Sequence, residues 1–229
     1  MSYSSLRGVM HYVTDELGPT GREQLNITRH TDGRRILRAQ CEMYDRGLMR
    51  NVTLVVDDQW RPRSAHVQLQ LDNGYHGECH YVFEANRVWL QGQHGGNAPF
   101  RESLEQPRPA TFGSHSVQND AWMYGAFDRV RGPSARAALK DVPITSRKPD
   151  GSDGPAWHLS RHEHLYLGEE QVQTEAGSFM TRHYEFLLKD RPSIHYWVTG
   201  PDYLLVRARW DLLKQSYELV SLERDEDSL

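Results

Sequence analysis

Three consecutive stretches decide the fold: Arg161-His162-Glu163-His164-Leu165-Tyr166-Leu167, the turn Thr174-Glu175-Ala176-Gly177-Ser178-Phe179, and Met180-Thr181-Arg182-His183-Tyr184-Glu185-Phe186-Leu187-Leu188. Side chains of an extended strand alternate between faces, so His162, His164 and Tyr166 point one way while Arg161, Glu163, Leu165 and Leu167 point the other. On the next strand Thr181, His183, Glu185 and Leu187 oppose Arg182, Tyr184, Phe186 and Leu188. The turn makes the pair antiparallel. Neither face is wholly apolar, as expected of a cavity wall that is dry in most places and polar in a few.

Outward from this pair the same signals recur. Strands are expected over 22–30, 35–43, 51–56, 64–71, 75–84 and 87–91, and again over 157–167, 169–174, 180–189, 193–198, 204–210 and 217–222. Asp32-Gly33, Asp45-Arg46-Gly47, Asp57-Asp58 and Asp72-Asn73-Gly74 supply hairpin turn chemistry between the early strands. Short, even spacing predicts an antiparallel meander. The middle differs: 118–129 has a helical pattern that Asn119 or Asp120 would cap, a second helix is expected over 134–140, and 148–155 reads as loop. The expectation is therefore a mainly β fold, a curved antiparallel sheet forming a β-clam or open barrel, with a helical insert covering the concave face. One domain spans 1–229, made of a first meander (22–91), an insert (92–155), a second meander (156–222) and a frayed acidic tail (223–229).

Composition narrows the function classes. The 229 residues include 27 basic and 31 acidic side chains, for a formal charge of −4, so there is no broad attraction for nucleic acid or an anionic membrane. No run approaches the roughly 20 apolar residues of a membrane helix, and the first residues lack a secretory apolar segment, which predicts a cytoplasmic protein without membrane insertion. Cys41 and Cys79 fall in separate strands at positions expected to be buried and reduced. A small apolar or aromatic molecule is the expected partner, with monomer and homodimer both open.

The segment Gly168-Glu169-Glu170-Gln171-Val172-Gln173-Thr174-Glu175-Ala176-Gly177-Ser178-Phe179, with the His-Tyr strand after it, a Trp-bearing strand and Leu204-Leu205-Val206-Arg207, resembles the bacterial lipoprotein-carrier superfamily (LolA and LolB) and related domains of unknown function. Over this last quarter the resemblance implies a curved antiparallel sheet wrapped around helices, with an apolar ligand space between. Two departures stand out: no export signal, and a wall carrying His162, His164, His183 and His195, which a greasy acyl binder would not need. The implied protein has a more polar pocket.

The 12 histidines are the first groups to weigh for chemistry, because imidazole exchanges protons near neutral pH. His76, Glu78 and His80 share one face of their strand opposite Cys79, Tyr81 and Phe83, which makes them solvent residues if the aromatic face is core. His162 and His164, at i and i+2 with Glu169 following, match the spacing of a first cupin motif, but no second motif supplies a further ligand. If the protein were metal-dependent, His162, His164 and Glu169 would be the ligands. No phosphate-cradling glycine loop, nucleophile elbow or CxxC pair is present. A site without metal or organic cofactor needs only a base, a group for developing oxyanion charge and aromatic walls. His164, His183, His195, Tyr124 and Asp120 are the catalytic candidates, and Trp122, Tyr166, Tyr184, Trp197 and Arg207 the substrate-binding ones, although core packing and a solvated outer face are the ordinary roles of such Trp and Arg residues. The expected function is a lyase, dehydratase or isomerase acting by proton transfer on a small apolar, aromatic or polycyclic compound. The alternatives are a non-catalytic carrier of a hydrophobic ligand and a cupin-like metal enzyme.

Overall fold

The structure is a computed structural model that describes residues 3–132, 134–189 and 191–225. The chain runs β1 (Tyr3–Thr14), β2 (Gly18–His30), β3 (Arg35–Met43), β4 (Leu48–Val56), β5 (Pro62–Leu71), β6 (His76–Phe83), β7 (Arg87–His94), β8 (Phe100–Glu105), α1 (Val117–Arg131), β9 (Arg136–Ile144), β10 (His158–Thr174), β11 (Gly177–Leu187), β12 (Ile194–Thr199), β13 (Leu204–Trp210) and β14 (Gln215–Asp225). All strands join one 14-stranded sheet in the order β8-β7-β6-β5-β4-β3-β2-β1-β14-β13-β12-β11-β10-β9. The meander therefore starts at mid-sheet, walks to the β8 edge, crosses through α1 to the β9 edge and walks back until β14 pairs with β1.

Strict alternation produces this sheet. In β3 and β4 every second side chain is buried, Leu37, Ala39 and Cys41 on one and Arg50, Val52 and Leu54 on the other, which is the period-two pattern of a strand with one dry face. Curvature enters at irregularities, where the register shifts at Val9/Met10, Tyr12/Val13, Val55/Val56, Tyr166/Gly168 and Trp197/Val198. Each such bulge bends its strand and increases the twist. The two edges stay apart as strands. The β8 edge carries Arg101, Glu102 and Glu105, and the β9 edge carries Pro143, both of which discourage pairing with another chain.

The helix fills the interior. From Val117 to Phe127 every residue except Asp120 is buried, as expected of a helix surrounded by sheet. Its start is bound from two sides. Ser116 caps it by accepting from the Asn119 N–H, and the buried Glu23 carboxylate accepts from the Ser116 hydroxyl and from the N–H groups of Val117 and Gln118. Glu23 also accepts from the Tyr12 hydroxyl at 2.9 Å and the Cys41 thiol at 3.0 Å, so this buried charge is held by five donors. At the other end Asp128 accepts from Tyr184 and Tyr203, both at 2.7 Å, and from Arg182 and Arg131. Gly125 lies against the Trp60 ring, leaving no room for a Cβ there.

Several boundaries differ from expectation. The first meander begins at β1 rather than at residue 22, because Tyr3–Thr14 alternates as regularly as its neighbours although polar residues mask the pattern. Residues 136–144 form edge strand β9, not a second helix; Val142 and Leu139 are drawn into the core and backbone pairing with β10 overrides the helical preference of Ala137 and Ala138. β8 likewise lies inside the supposed insert. The two strands expected over 157–174 are one strand with a bulge at Leu167. Glu223 to Asp225 belong to β14, and the rest of the expected tail, 226–229, lies outside the described residues. Among the described residues no helix is long and apolar enough to cross a membrane.

Candidate functional site

A cavity of about 250 Å³ opens beside the first turn of α1, between that helix, strands β9 to β12 and the 145–150 loop. Met123, Ile144, Phe186, Ile194 and Trp210 make most of its wall. A narrower extension of about 80 Å³ shares Asp120, His115, Tyr196 and Trp210 with it and runs towards Tyr12, Tyr217 and Arg50. A larger groove of about 520 Å³ lies on the outer face across β1 to β4, but it is shallow and lined by polar side chains such as Gln24, Asn26 and Gln40. The enclosed space is the better site for a small molecule because it removes a ligand from water.

Asp120, His162, Trp210 and His115 are among the polar side chains of this wall. Asp120 is the one residue of the helix's first eleven that is not packed into the core, and it faces both cavities. Burial, then the charge of Glu23, pushes its carboxyl up to about 8 against the opposing pull of Arg50. Asp120 is therefore mostly a neutral acid at pH 7. His162, on β10, exposes no Nδ1 to water and bonds it to nothing, and burial lowers its imidazole to about 4. Trp210 contributes a buried indole N–H with no acceptor. His115 completes the wall; burial and the nearby Arg50 guanidinium lower it to about 3, and its Nδ1 meets the Thr145 hydroxyl at 3.2 Å.

The sequence-based candidates divide into four groups. Asp120 lines the cavity. Tyr124 and His164 sit immediately behind its wall, fully buried, with ring centroids 5.1 Å apart and with the Tyr124 hydroxyl and both His164 nitrogens unpartnered. Burial lowers the His164 imidazole and raises the Tyr124 phenol, so both stay neutral. Three others have structural surroundings: Trp122 packs on Trp60 and donates to the Asp202 carbonyl, Tyr184 donates to Asp128, and Tyr166 lies under the Arg131 guanidinium at 4.6 Å.

His183, His195, Trp197 and Arg207 lie on the opposite face of the sheet. Tyr184 and Tyr196 point inward at α1, so their neighbours in the strands point out. There the β10–β11 hairpin, past its bulge, curls over the outer surface: Arg207 donates to the Gln173 carbonyl at 3.0 Å, although three strand boundaries separate β10 from β13. Val172, Thr181 and Val206 are buried beneath it. His183 bridges Glu170 at 2.8 Å and His195 at 2.9 Å and stacks on Trp197 with centroids 4.3 Å apart. Arg207 pairs with Glu218. Of the conditional metal set, His162 and His164 point inward with centroids 6.0 Å apart, whereas Glu169 is exposed beyond the bulge. Among the described residues no three His, Cys, Asp or Glu side chains converge as a metal site. Cys41 and Cys79 are buried and free, and burial raises both thiols.

His115, Trp210 and Tyr196 were missed by reading the sequence. His115 precedes the helix in a left-handed conformation, φ 62°, with no local signal that it turns inward.

No protein-family model matches the chain, and no curated protein is significantly similar in sequence. Among solved structures it is similar to a β-barrel-like protein of the domain-of-unknown-function family DUF1849 from Brucella abortus, with 10% identity, 98% of each chain covered and a TM-score of 0.55. It is also matched by a DUF1089 family protein from Pseudomonas aeruginosa, with 13% identity over 82% of this chain and 88% of that one, at a TM-score of 0.48. The first likeness establishes a barrel-like fold and nothing about activity.

Proposed function

We propose that the chain is an acid/base enzyme of the lyase, dehydratase or isomerase type, needing no organic cofactor, whose substrate is a small, mainly apolar aromatic compound held in the Asp120 cavity. The observation that carries this reading is geometric: Asp120, without a side-chain hydrogen-bond partner among the described residues and with its carboxyl pushed up to about 8 by burial, lines the same small space as His162. A resting neutral acid favours the dehydratase or lyase sense. Asp120 gives its proton to a leaving oxygen as the carbon–oxygen bond breaks, neutral His162 accepts the proton from the adjacent carbon, and the new double bond and water result. The proton on His162 then returns to Asp120 through the solvent-open mouth.

The test is turnover of small aromatic β-hydroxy carbonyl compounds, followed by NMR in deuterated buffer for water loss and deuterium uptake. Asp120→Asn is expected to lower the rate by about 100-fold or more. The rate should fall above pH of about 8, as Asp120 loses its proton, and below pH of about 4, as His162 gains one. Turnover that persists in both Asp120→Asn and His162→Gln would remove the assignment. The mostly apolar wall, with the resemblance to lipoprotein carriers, supports a second reading as a non-catalytic carrier. Its signature is an apolar molecule retained in native mass spectra without turnover. Either reading fits a cytoplasmic protein.

A further inference from the structure

The mouth of the cavity is charged in one sense. Arg147, Lys148 and Arg191 line it together with the apolar Leu188, and all three cations are exposed. Among the described residues none of them lies within ion-pair distance of a carboxylate. The acids nearby are engaged elsewhere. Asp150 pairs with Arg46 at 3.0 Å and Asp153 accepts from the Ser146 hydroxyl, leaving Asp153 only a longer-range attraction for Lys148. Farther in, Arg50 is closed off by the carbonyls of His115 and Asp150, and Glu23 is saturated by its five donors.

We infer that the molecule taken by this cavity is a small aromatic or branched carboxylate, its apolar body against Met123, Ile144, Phe186 and Ile194 and its acid group at the mouth between Arg147, Lys148 and Arg191. This rests on the cavity being the ligand site, as proposed above, and adds the charge and orientation of the ligand. Cations grouped around a low-dielectric opening focus an attractive potential on an anion. Asp120, as a neutral acid, does not repel a carboxylate. A cationic ligand would meet three like charges at the mouth. The volume suits one ring with a short chain.

The inference is tested by calorimetric titration of the full chain with phenylpropanoate, phenylpropanol and phenylpropylamine, which share one body and differ in charge. Phenylpropanoate should bind about tenfold more tightly than the alcohol, with the amine weakest, and its advantage should shrink with added salt. A variant carrying Arg147→Gln, Lys148→Gln and Arg191→Gln, all at exposed positions, should reduce the carboxylate to the affinity of the alcohol while leaving the alcohol unchanged. Ile194→Trp, or Leu188→Trp at the mouth if the first does not fold, should block all three. Equal binding of carboxylate and alcohol, or a carboxylate indifferent to the triple variant, overturns the anionic class while the blocking variant still supports the cavity. Binding that survives both blocking variants overturns the cavity itself, and no binding of any of the three overturns the inferred ligand.

Discussion

Asp120 and Glu23 show how two carboxyls in one interior are given different surroundings. Glu23 is buried but bonded to five donors, two of them from the first turn of a helix, and so it serves as the anchor of α1. Glu23→Gln replaces an acceptor-only group by an amide that points hydrogens at those donors; it is expected to cost about 2–4 kcal/mol, measured by denaturant unfolding. Asp120 has no such donors and keeps its proton. Burial raises its pKa from 3.8 to about 8 on folding, so the stability it contributes is complete below pH of about 4 and is lost as the pH rises towards 8. Asp120→Asn should therefore abolish this decline. Melting temperatures of the two proteins should diverge with rising pH, with the variant the more stable by on the order of 2 kcal/mol or more at pH of about 8. The imidazoles of His115, His162 and His164 are lowered by burial and work in the opposite sense, costing stability as the pH falls below about 6.5 towards 4.

At the scale of elements, α1 is held by its two ends and by close packing at its middle. Gly125 allows the helix to approach Trp60, which itself stands edge-on to Trp122 and Tyr203. Gly125→Ala gains helix propensity of up to about 1 kcal/mol but places a methyl inside the indole. Overpacking of this kind typically costs 1–3 kcal/mol, so a net loss of about 1–2 kcal/mol is expected in chemical denaturation, together with a change in tryptophan fluorescence. The β10–β11 hairpin explains the second histidine cluster. Once its bulge turns it across the outer face, Glu170, His183, His195 and Trp197 become the contacts that fasten it there, and they leave the cavity side of the sheet to Tyr184, Tyr196 and Phe186.

For the molecule as a whole, the unusual seam is the pairing of β1 with β14 in the middle of the sheet. Ser5 stands opposite Asp225, and its hydroxyl donates to that carboxylate at 3.0 Å, across a sequence separation of 220 residues. Contacts of such separation carry the largest loop-closure cost, so this seam is expected to form late in folding. A disulfide between Ser5→Cys and Asp225→Cys would constrain the unfolded chain over nearly its whole length. The chain-entropy relation gives about 5 kcal/mol for such a loop. The oxidised variant should melt well above the wild type and return to it on addition of reductant; no difference between the two states would mean the seam is already closed in the unfolded ensemble or strained by the bridge.

Period-two alternation and turn chemistry were enough to establish an antiparallel meander around a helical insert, because both are local properties of a few residues. They also separated His76 and His80 from the buried Cys79, Tyr81 and Phe83, since parity within one regular strand needs no tertiary information. Parity does not cross a bulge. Alternation with the inward Tyr184 and Tyr196 puts His183, His195 and Trp197 on the outside, the extra residue at Leu167 brings Glu170 to that same side, away from His162 and His164, and only the folded hairpin displays that. Curvature belongs to the same level, because it accumulates from bulges spread over both halves of the sheet. The state of Asp120 is likewise tertiary: the helix pattern located it, but its acidity depends on burial and on Glu23 and Arg50, which lie far away in sequence and meet it only when β2 and β4 wrap around the helix.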